Sequence, residues 1–272
     1  MIGSHLAQRL LSAGINVVGV DRFEAKVEGG GYRHCVVDLG DAAAVEQVFQ
    51  KHKIDRVIHL AALAHRHGEP DLSIERYIHV NVECSKNVFA AAEKNNASVL
   101  YISTIDVFGF TRGTVTAETV PHPVTSYAKT KLMAEEECKN ICTKYSIFRL
   151  SPVYTPEIKR DIQKRYYLKS PKYAYTIGKG GEYEVLDVAK ATERMLEWCA
   201  EEPDCKIHII KDDMPMVTSE CIKAEKAEGR AKHVIYCPRW IAVAGFHLLK
   251  CLTGKNKYTY LLSKAIYPLK TQ

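Results

Sequence analysis

The stretch whose reading decides the fold is IGSHLAQRLLSAGINVVGVDR, residues 2–22. Leu6, Leu10 and Leu11 fall on one face at helical spacing. Gly14 stands where a helix C-terminus favours glycine. An apolar run, Ile15 to Val20, follows and ends in Asp21, as a strand of a parallel sheet buried on both faces would. Helix then strand is the second half of a nucleotide-binding unit, so a strand and a glycine turn are expected ahead of Ile2. The expectation is a sheet whose first strand is missing from this chain.

Outward from that stretch the alternation continues. A short strand at Cys35–Val37 ends in Asp38, and a helix pattern runs from Asp41 to His52. A strand over Arg56–Leu60 leads into AALAH, and one long helix is predicted from about Asp71 to Asn95. The strand SVLYIST, the helix SYAKTKLMAEEECKNICTKY and the strand SIFRL complete the series at residue 150. Parallel strands need crossover helices, so this pattern predicts an α/β fold, a Rossmann-like doubly wound parallel sheet covered on both faces. Past Pro156 the rhythm changes to the basic, aromatic EIKRDIQKRYYLKSPKY. The expected domains are therefore 1–156, dinucleotide-binding, and 157–272, a smaller C-terminal α/β lobe, with the helix near 187–200 packing back on the sheet.

A length of 272 residues allows one large domain or two modest ones with a core. The net charge of +6 is mild, and no Arg/Lys stripe interleaves with exposed aromatics, so nucleic-acid binding is not expected. Nine scattered cysteines without a signal peptide read as free thiols of a cytoplasmic protein. Cys138 and Cys142 share a helix face, but no second ligand pair completes a metal set. The apolar stretch RWIAVAGFHLLKCLTG, residues 239–254, contains His247 and Lys250 and is short for a membrane span. It reads as a buried amphipathic helix, with a helix lying on a membrane surface as the other reading.

In an open α/β sheet ligands bind beyond the carboxyl ends of the strands. Gly3 fits the last glycine of a G-x-x-G-x-x-G turn, which lets helix and strand pack closely. Asp21 can accept the hydroxyls of an adenosine ribose, favouring NAD, with Arg22 beside it pulling toward NADP. Asp38 and Leu39 are set to reach adenine, and the small side chains after Leu60, Ala61 and Ala62, leave room for a cofactor. Tyr127 and Lys131 have the Y-x-x-x-K spacing, which puts both on one helix face a turn apart. An ammonium there would lower the tyrosine pKa, and Thr104, ending the preceding strand, adds a hydroxyl for the same substrate oxygen. Together they suit removal of a proton from a secondary alcohol while its hydride leaves to a nicotinamide. His65, Arg66 and His67 follow the small segment; Arg66 reads either as a diphosphate contact or as surface loop.

These stretches, with VIHLAA, NVECSKNV, STIDVFG, YAKTK and FRLSPVYTP in order over residues 1–156, resemble the extended short-chain dehydrogenase/reductases, in particular the NAD-dependent epimerase/dehydratase family acting on nucleotide sugars. YTIGKGGEYEVLDVAKA resembles it more loosely. The resemblance implies Thr104, Tyr127 and Lys131 as the catalytic set, Lys131 also holding the nicotinamide ribose, a nucleotide-sugar substrate, and a possible homodimer through helices flanking the sheet. The family's leading strand and two glycines have no counterpart here, so NAD binding by this chain is expected to be poor. Sugar dehydratases of the family resemble T-D-E where this chain has Thr104, Ile105 and Asp106, and Ile105 cannot donate a proton. Decarboxylases carry glutamate at the Asp106 position. The 4-epimerases need only the Thr–Tyr–Lys set and fit by elimination. A reductase of a keto-sugar and a non-catalytic family member stand as alternatives.

Overall fold

The computed structural model describes residues 2–25, 27, 29–64, 73–155, 160–168, 173–254 and 256–272. Its elements begin with α1 (Ile2–Ser12), β1 (Val17–Asp21), β2 (Tyr32–Val36), α2 (Ala42–His52), β3 (Arg56–His59), α3 (Ile74–Ile78), α4 (Cys84–Lys94) and β4 (Ser98–Thr104). They continue with β5 (Thr114–Val115), α5 (Ser126–Ile141), β6 (Tyr145–Leu150), β7 (Val153–Tyr154), α6 (Arg160–Gln163), β8 (Tyr173–Ile177), β9 (Glu182–Tyr183), β10 (Leu186–Asp187) and α7 (Val188–Ala200). The last are β11 (Ile207–Ile210), β12 (Met216–Val217), α8 (Thr218–Ala227), β13 (His233–Cys237), α9 (Arg239–Thr253), α10 (Lys257–Ile266) and β14 (Lys270–Thr271). The chain forms two compact units. The first is Met1–Val107, Thr125–Leu150 and Val188–His208, the second Phe108–Val124, Ser151–Asp187 and Ile209–Gln272. Residue 156, where the sequence suggests a boundary, lies outside the described residues.

The first unit is the parallel α/β body, and its sheet is in two pieces. β1 pairs in parallel with β2, Val17 opposite Tyr32 through Asp21 opposite Val36. The other piece has the order β11-β6-β4-β3, with β3 parallel to β4 and β4 parallel to β6. Among the described residues no ladder joins β1 to β3. Burial follows the interruption: β4 is buried from Ser98 to Ser103, whereas β1 is half-buried and β3 is so until His59.

Helices cover both faces. Val45 and Phe49 of α2, Val88, Phe89 and Ala92 of α4 and Ala134 and Cys138 of α5 close over Val99, Tyr101 and Ile147. On the other face α7 brings Arg194 over the Phe148 ring at 5.1 Å and Trp198 against Arg56 at 5.3 Å. Arg9 ties α1 to α7 through Glu193 at 3.3 Å. α1 buries Leu6, Ala7 and Leu10 as its spacing predicts, and Gly14 closes it at φ +77°, a conformation that favours glycine.

Three expectations need correction. The strand expected over Cys35–Val37 is β2, Tyr32–Val36, extended only by the Val37 N–H donating to the Asp21 carbonyl at 2.9 Å. The single helix expected over 71–95 is interrupted: across His79–Glu83 the bonding widens, and the Cys84 N–H reaches the His79 carbonyl five residues back before α4 resumes. The helix expected to be buried over 239–254 is α9, and of its apolar residues only Ala242 and Phe246 are buried. The second unit is otherwise built on the parallel pair β8–β13, with Ala174, Val185 and Ile222 in one small core and Phe246 and Ile266 in another.

Candidate active site

The chemistry-bearing residues gather at the carboxyl end of β4 and the first turns of α5. The Thr125 hydroxyl accepts from the Ala128 N–H at 3.1 Å and fixes the start of α5. Tyr127 and Lys131 follow one turn apart on that helix. Thr104 ends β4, and its hydroxyl accepts from the Asp106 N–H at 3.2 Å. Lys131 is buried, with Nζ 4.1 Å from the centre of the Tyr101 ring on β4. The Tyr101 hydroxyl is buried without a hydrogen-bond partner among the described residues. Ile105 is buried as well, and its side chain offers no proton beside Asp106.

Burial governs the electrostatics. It draws the Lys131 pKa down to about 7, and Glu135, one turn further on, opposes the shift. It pushes the Tyr127 phenol up, and Asp106 adds to that. The expectation that Lys131 lowers the tyrosine pKa is not met in the free chain, where desolvation of the phenolate and the Asp106 carboxylate both raise it. Glu135 is held by Arg149 at 2.7 Å and accepts from the Ser103 hydroxyl, all three buried. His59 is drawn down to about 3 by burial first and by Lys131 second.

Asn81, in the widened turn ahead of α4, is the hub that sequence spacing leaves without a role. Its Oδ1 accepts from the Leu63 N–H at 2.6 Å, and its Nδ2 donates to the Leu63 carbonyl at 3.1 Å and to the Thr130 hydroxyl at 3.0 Å. Ser85 donates to the Asn81 carbonyl and meets His59 Nε2 at 2.8 Å. The end of β3, the turn and α5 are thus tied behind the Tyr127–Lys131 face. Asn81 and Ser85, four apart and so on one helix face, are the signal in the sequence for this network.

The remaining expected residues sit at the ends of β1, β2 and β3. Asp21 is exposed at the end of β1, where a carboxylate oxygen accepts from the Phe23 N–H at 3.1 Å. The Arg22 guanidinium lies 4.7 Å over the Phe23 ring. An Asp38 oxygen accepts from the Gly40 N–H at 2.8 Å, and Asn87 donates to the Leu39 carbonyl at 2.8 Å. Burial pushes the Cys84 thiol up, with Asp38 adding to the shift and Arg76 and Arg22 opposing it. Ala61 and Ala62 are exposed after β3. Gly3 lies beside Leu60, but a Cβ there would stand 3.8 Å from Cδ1, an ordinary contact, so close packing does not require glycine here. His65, Arg66 and His67 lie outside the described residues.

A split parallel sheet with Thr104 at a strand end and Tyr127 and Lys131 on the next helix defines an α/β protein of dehydrogenase-like fold. Residues 1–203 match the model of the NAD dependent epimerase/dehydratase family, and the chain belongs to that family. It is 32% identical over 160 residues to a UDP-glucose 4-epimerase of Drosophila melanogaster, a match covering 52% of this chain and 45% of that one. It is 34% identical over 150 residues to a probable UDP-arabinose 4-epimerase of Arabidopsis thaliana, covering 50% of this chain and 36% of the relative. The chain thus matches less than half the length of these relatives. Among solved structures, a UDP-glucuronic acid 4-epimerase from Bacillus cereus in complex with NAD aligns with a TM-score of 0.72 at 22% identity, covering 87% of this chain and 84% of that one. A Thermus thermophilus UDP-glucose 4-epimerase complex with NAD aligns at 0.67 and 22% identity, covering 88% and 83%. These likenesses show the fold.

Proposed function

We propose that the chain carries out NAD-dependent 4-epimerisation of a nucleotide sugar through a 4-keto intermediate. The observation that carries this reading is the placing of Thr104 at the end of β4 and of Tyr127 and buried Lys131 one turn apart on α5, the helix that follows. The epimerase names of both relatives support it, as does Ile105, which leaves no acid pair for water elimination.

The residues present fit NAD at several points. Asp21 offers an exposed carboxylate for the adenosine ribose, exposed Ala61 and Ala62 leave space, and the first turn of α1 holds no acidic residue to repel a pyrophosphate. The partnerless Tyr101 hydroxyl and the Lys131 amine would face the nicotinamide ribose end. Bound NAD supplies a hydride acceptor and, in its reduced form, the donor. Thr104 would hydrogen-bond the sugar 4-oxygen and orient it. Tyr127 would take the 4-hydroxyl proton, Lys131 in its ammonium form stabilising the phenolate, and would return the proton after the ketone has turned over. Nine free thiols fit a reducing, cytoplasmic setting, and two copies would pair through the helices that flank the sheet.

The test is conversion of UDP-glucose to its 4-epimer by the chain at millimolar NAD, followed chromatographically. Tyr127→Phe should lower turnover by about 10²–10⁴-fold. Retained turnover in that variant overturns the mechanism, and stoichiometric consumption of NADH identifies a reductase instead.

A further inference from the structure

The second unit carries an apolar face that its own core does not use. On α9, Ala242 and Phe246 face inward, while Trp240, Ala244, Leu248 and Leu252 recur every fourth residue on the opposite side. Trp240 is 72% exposed, Leu248 63% and Leu252 75%, values of side chains standing in solvent. Ile241 joins that face, and α10 exposes Tyr258 and Leu261 three residues apart. The core takes only one side of this helix, and the apolar residues opposite it stand outside that core. Among the described residues no helix is long and apolar enough to cross a membrane.

Charge decides what covers the face. From Gly229 to Gln272 the sequence has eight Lys and Arg and no Asp or Glu, so these 44 residues hold more positive charge than the net +6 of the whole chain. Arg230 and Lys270 are engaged by Glu225 and Glu182, which lie outside this segment. Lys250 and Lys264 lie along the rings of Phe246 and Tyr260, and Arg239 over Tyr267, so their stems rest on apolar surface. An isologous dimer through this face would set like charges against each other. An anionic bilayer supplies both an apolar layer and negative charge, and exposed Trp240, Tyr236 and Tyr258 are side chains of the bilayer interface.

We propose that α9 and α10 seat the second unit on an anionic phospholipid surface, with Trp240, Leu248 and Leu252 in the headgroup–acyl boundary and the surrounding cations on the lipid phosphates. The proposal stands apart from the catalytic reading, since it concerns other residues and is read without turnover. The chain is floated with vesicles of phosphatidylcholine alone and of phosphatidylcholine with about one third phosphatidylglycerol. Expected is partitioning onto the anionic vesicles only, falling at least tenfold (order of magnitude) at about 0.5 M salt. Leu248→Ser/Leu252→Ser and Arg239→Glu/Lys250→Glu should each abolish flotation while the circular dichroism spectrum is kept. Failure to float with anionic vesicles, or flotation indifferent to both double variants, overturns the proposal. Self-association in the absence of lipid that Leu248→Ser/Leu252→Ser abolishes overturns it in favour of a second copy, and vesicle-independent binding of an acidic protein does so in favour of that partner.

Discussion

At the scale of single residues the site is held at the expense of stability, and Lys131 shows it best. Its pKa is near 7 in the folded chain against 10.5 for an ordinary lysine, because burial disfavours the ammonium more than Glu135 favours it. Between those two values the unfolded chain binds a proton that the folded chain does not, so folding stability rises with pH across that window. Lys131→Met should therefore stabilise the fold at pH 7 by about 2–4 kcal/mol while abolishing turnover, a trade between activity and stability. The gain should shrink toward pH 10.5, where the lysine is neutral in both states. Urea denaturation of both proteins at pH 7, 9 and 10.5 measures this. A destabilised variant, or a difference that ignores pH, contradicts the account. Glu135 bonds the buried Arg149 guanidinium at 2.7 Å, so Glu135→Gln, which leaves that guanidinium uncompensated, should cost about 3–5 kcal/mol in the same measurement.

At the scale of elements, what positions Tyr127 and Lys131 is the widened turn ahead of α4 and its hub, Asn81. Removing its amide leaves the Leu63 backbone and the Thr130 hydroxyl short of partners, a loss of about 1–3 kcal/mol for Asn81→Ala. A double-mutant cycle with Thr130→Val should return a coupling of about 0.5–1.5 kcal/mol in unfolding free energy. Coupling near zero would mean that the contact between the turn and α5 holds nothing. The elements differ in how far the sequence disclosed them. Asp21 and Thr104 are legible because an apolar run ends at each, and Tyr127 and Lys131 because four residues make one turn. Asn81 and Thr130 are 49 positions apart, and no local period joins them. The widened turn is equally silent, since one extra residue per turn leaves the apolar stripe nearly continuous. α9 misleads for the opposite reason: its apolar run reads as burial, and only the packed structure leaves Trp240, Leu248 and Leu252 exposed.

At the scale of the whole molecule the chain returns on itself in a way that spacing does not disclose: the Arg9 guanidinium of α1 meets the Ala189 carbonyl of α7, 180 residues on. The two units also carry different titrating groups, which predicts different pH optima of stability. In the first unit His59 is drawn down to about 3 and Lys131 to about 7. Each makes the unfolded chain the better proton binder, so stability climbs from pH 3 to 6.5 and again from pH 7 to 10.5. Tyr101 and Tyr127 are pushed above 10 by burial, so the stability they contribute is present below pH 10 and is lost as pH rises through their folded pKa values. In the second unit Arg230 lowers Glu225, whose contribution is lost only as pH falls through its folded pKa, and burial raises Tyr154 and Tyr183 to about 12. Those groups predict a plateau between about pH 5 and 10 for the second unit, and a maximum near pH 9–10 for the first instead of the common range of about 5–8. The two tryptophans allow the first unit to be followed alone: Trp198 is buried in it and Trp240 is exposed on the other. In Trp240→Phe, denaturation followed by Trp198 fluorescence should be most resistant to urea at pH 9–10, and adding Lys131→Met should flatten the limb above pH 7. A Trp198 transition most resistant at pH 6–7 would mean that the Lys131 ammonium is solvated or paired in the folded chain, and the electrostatic picture of the site would fail with it.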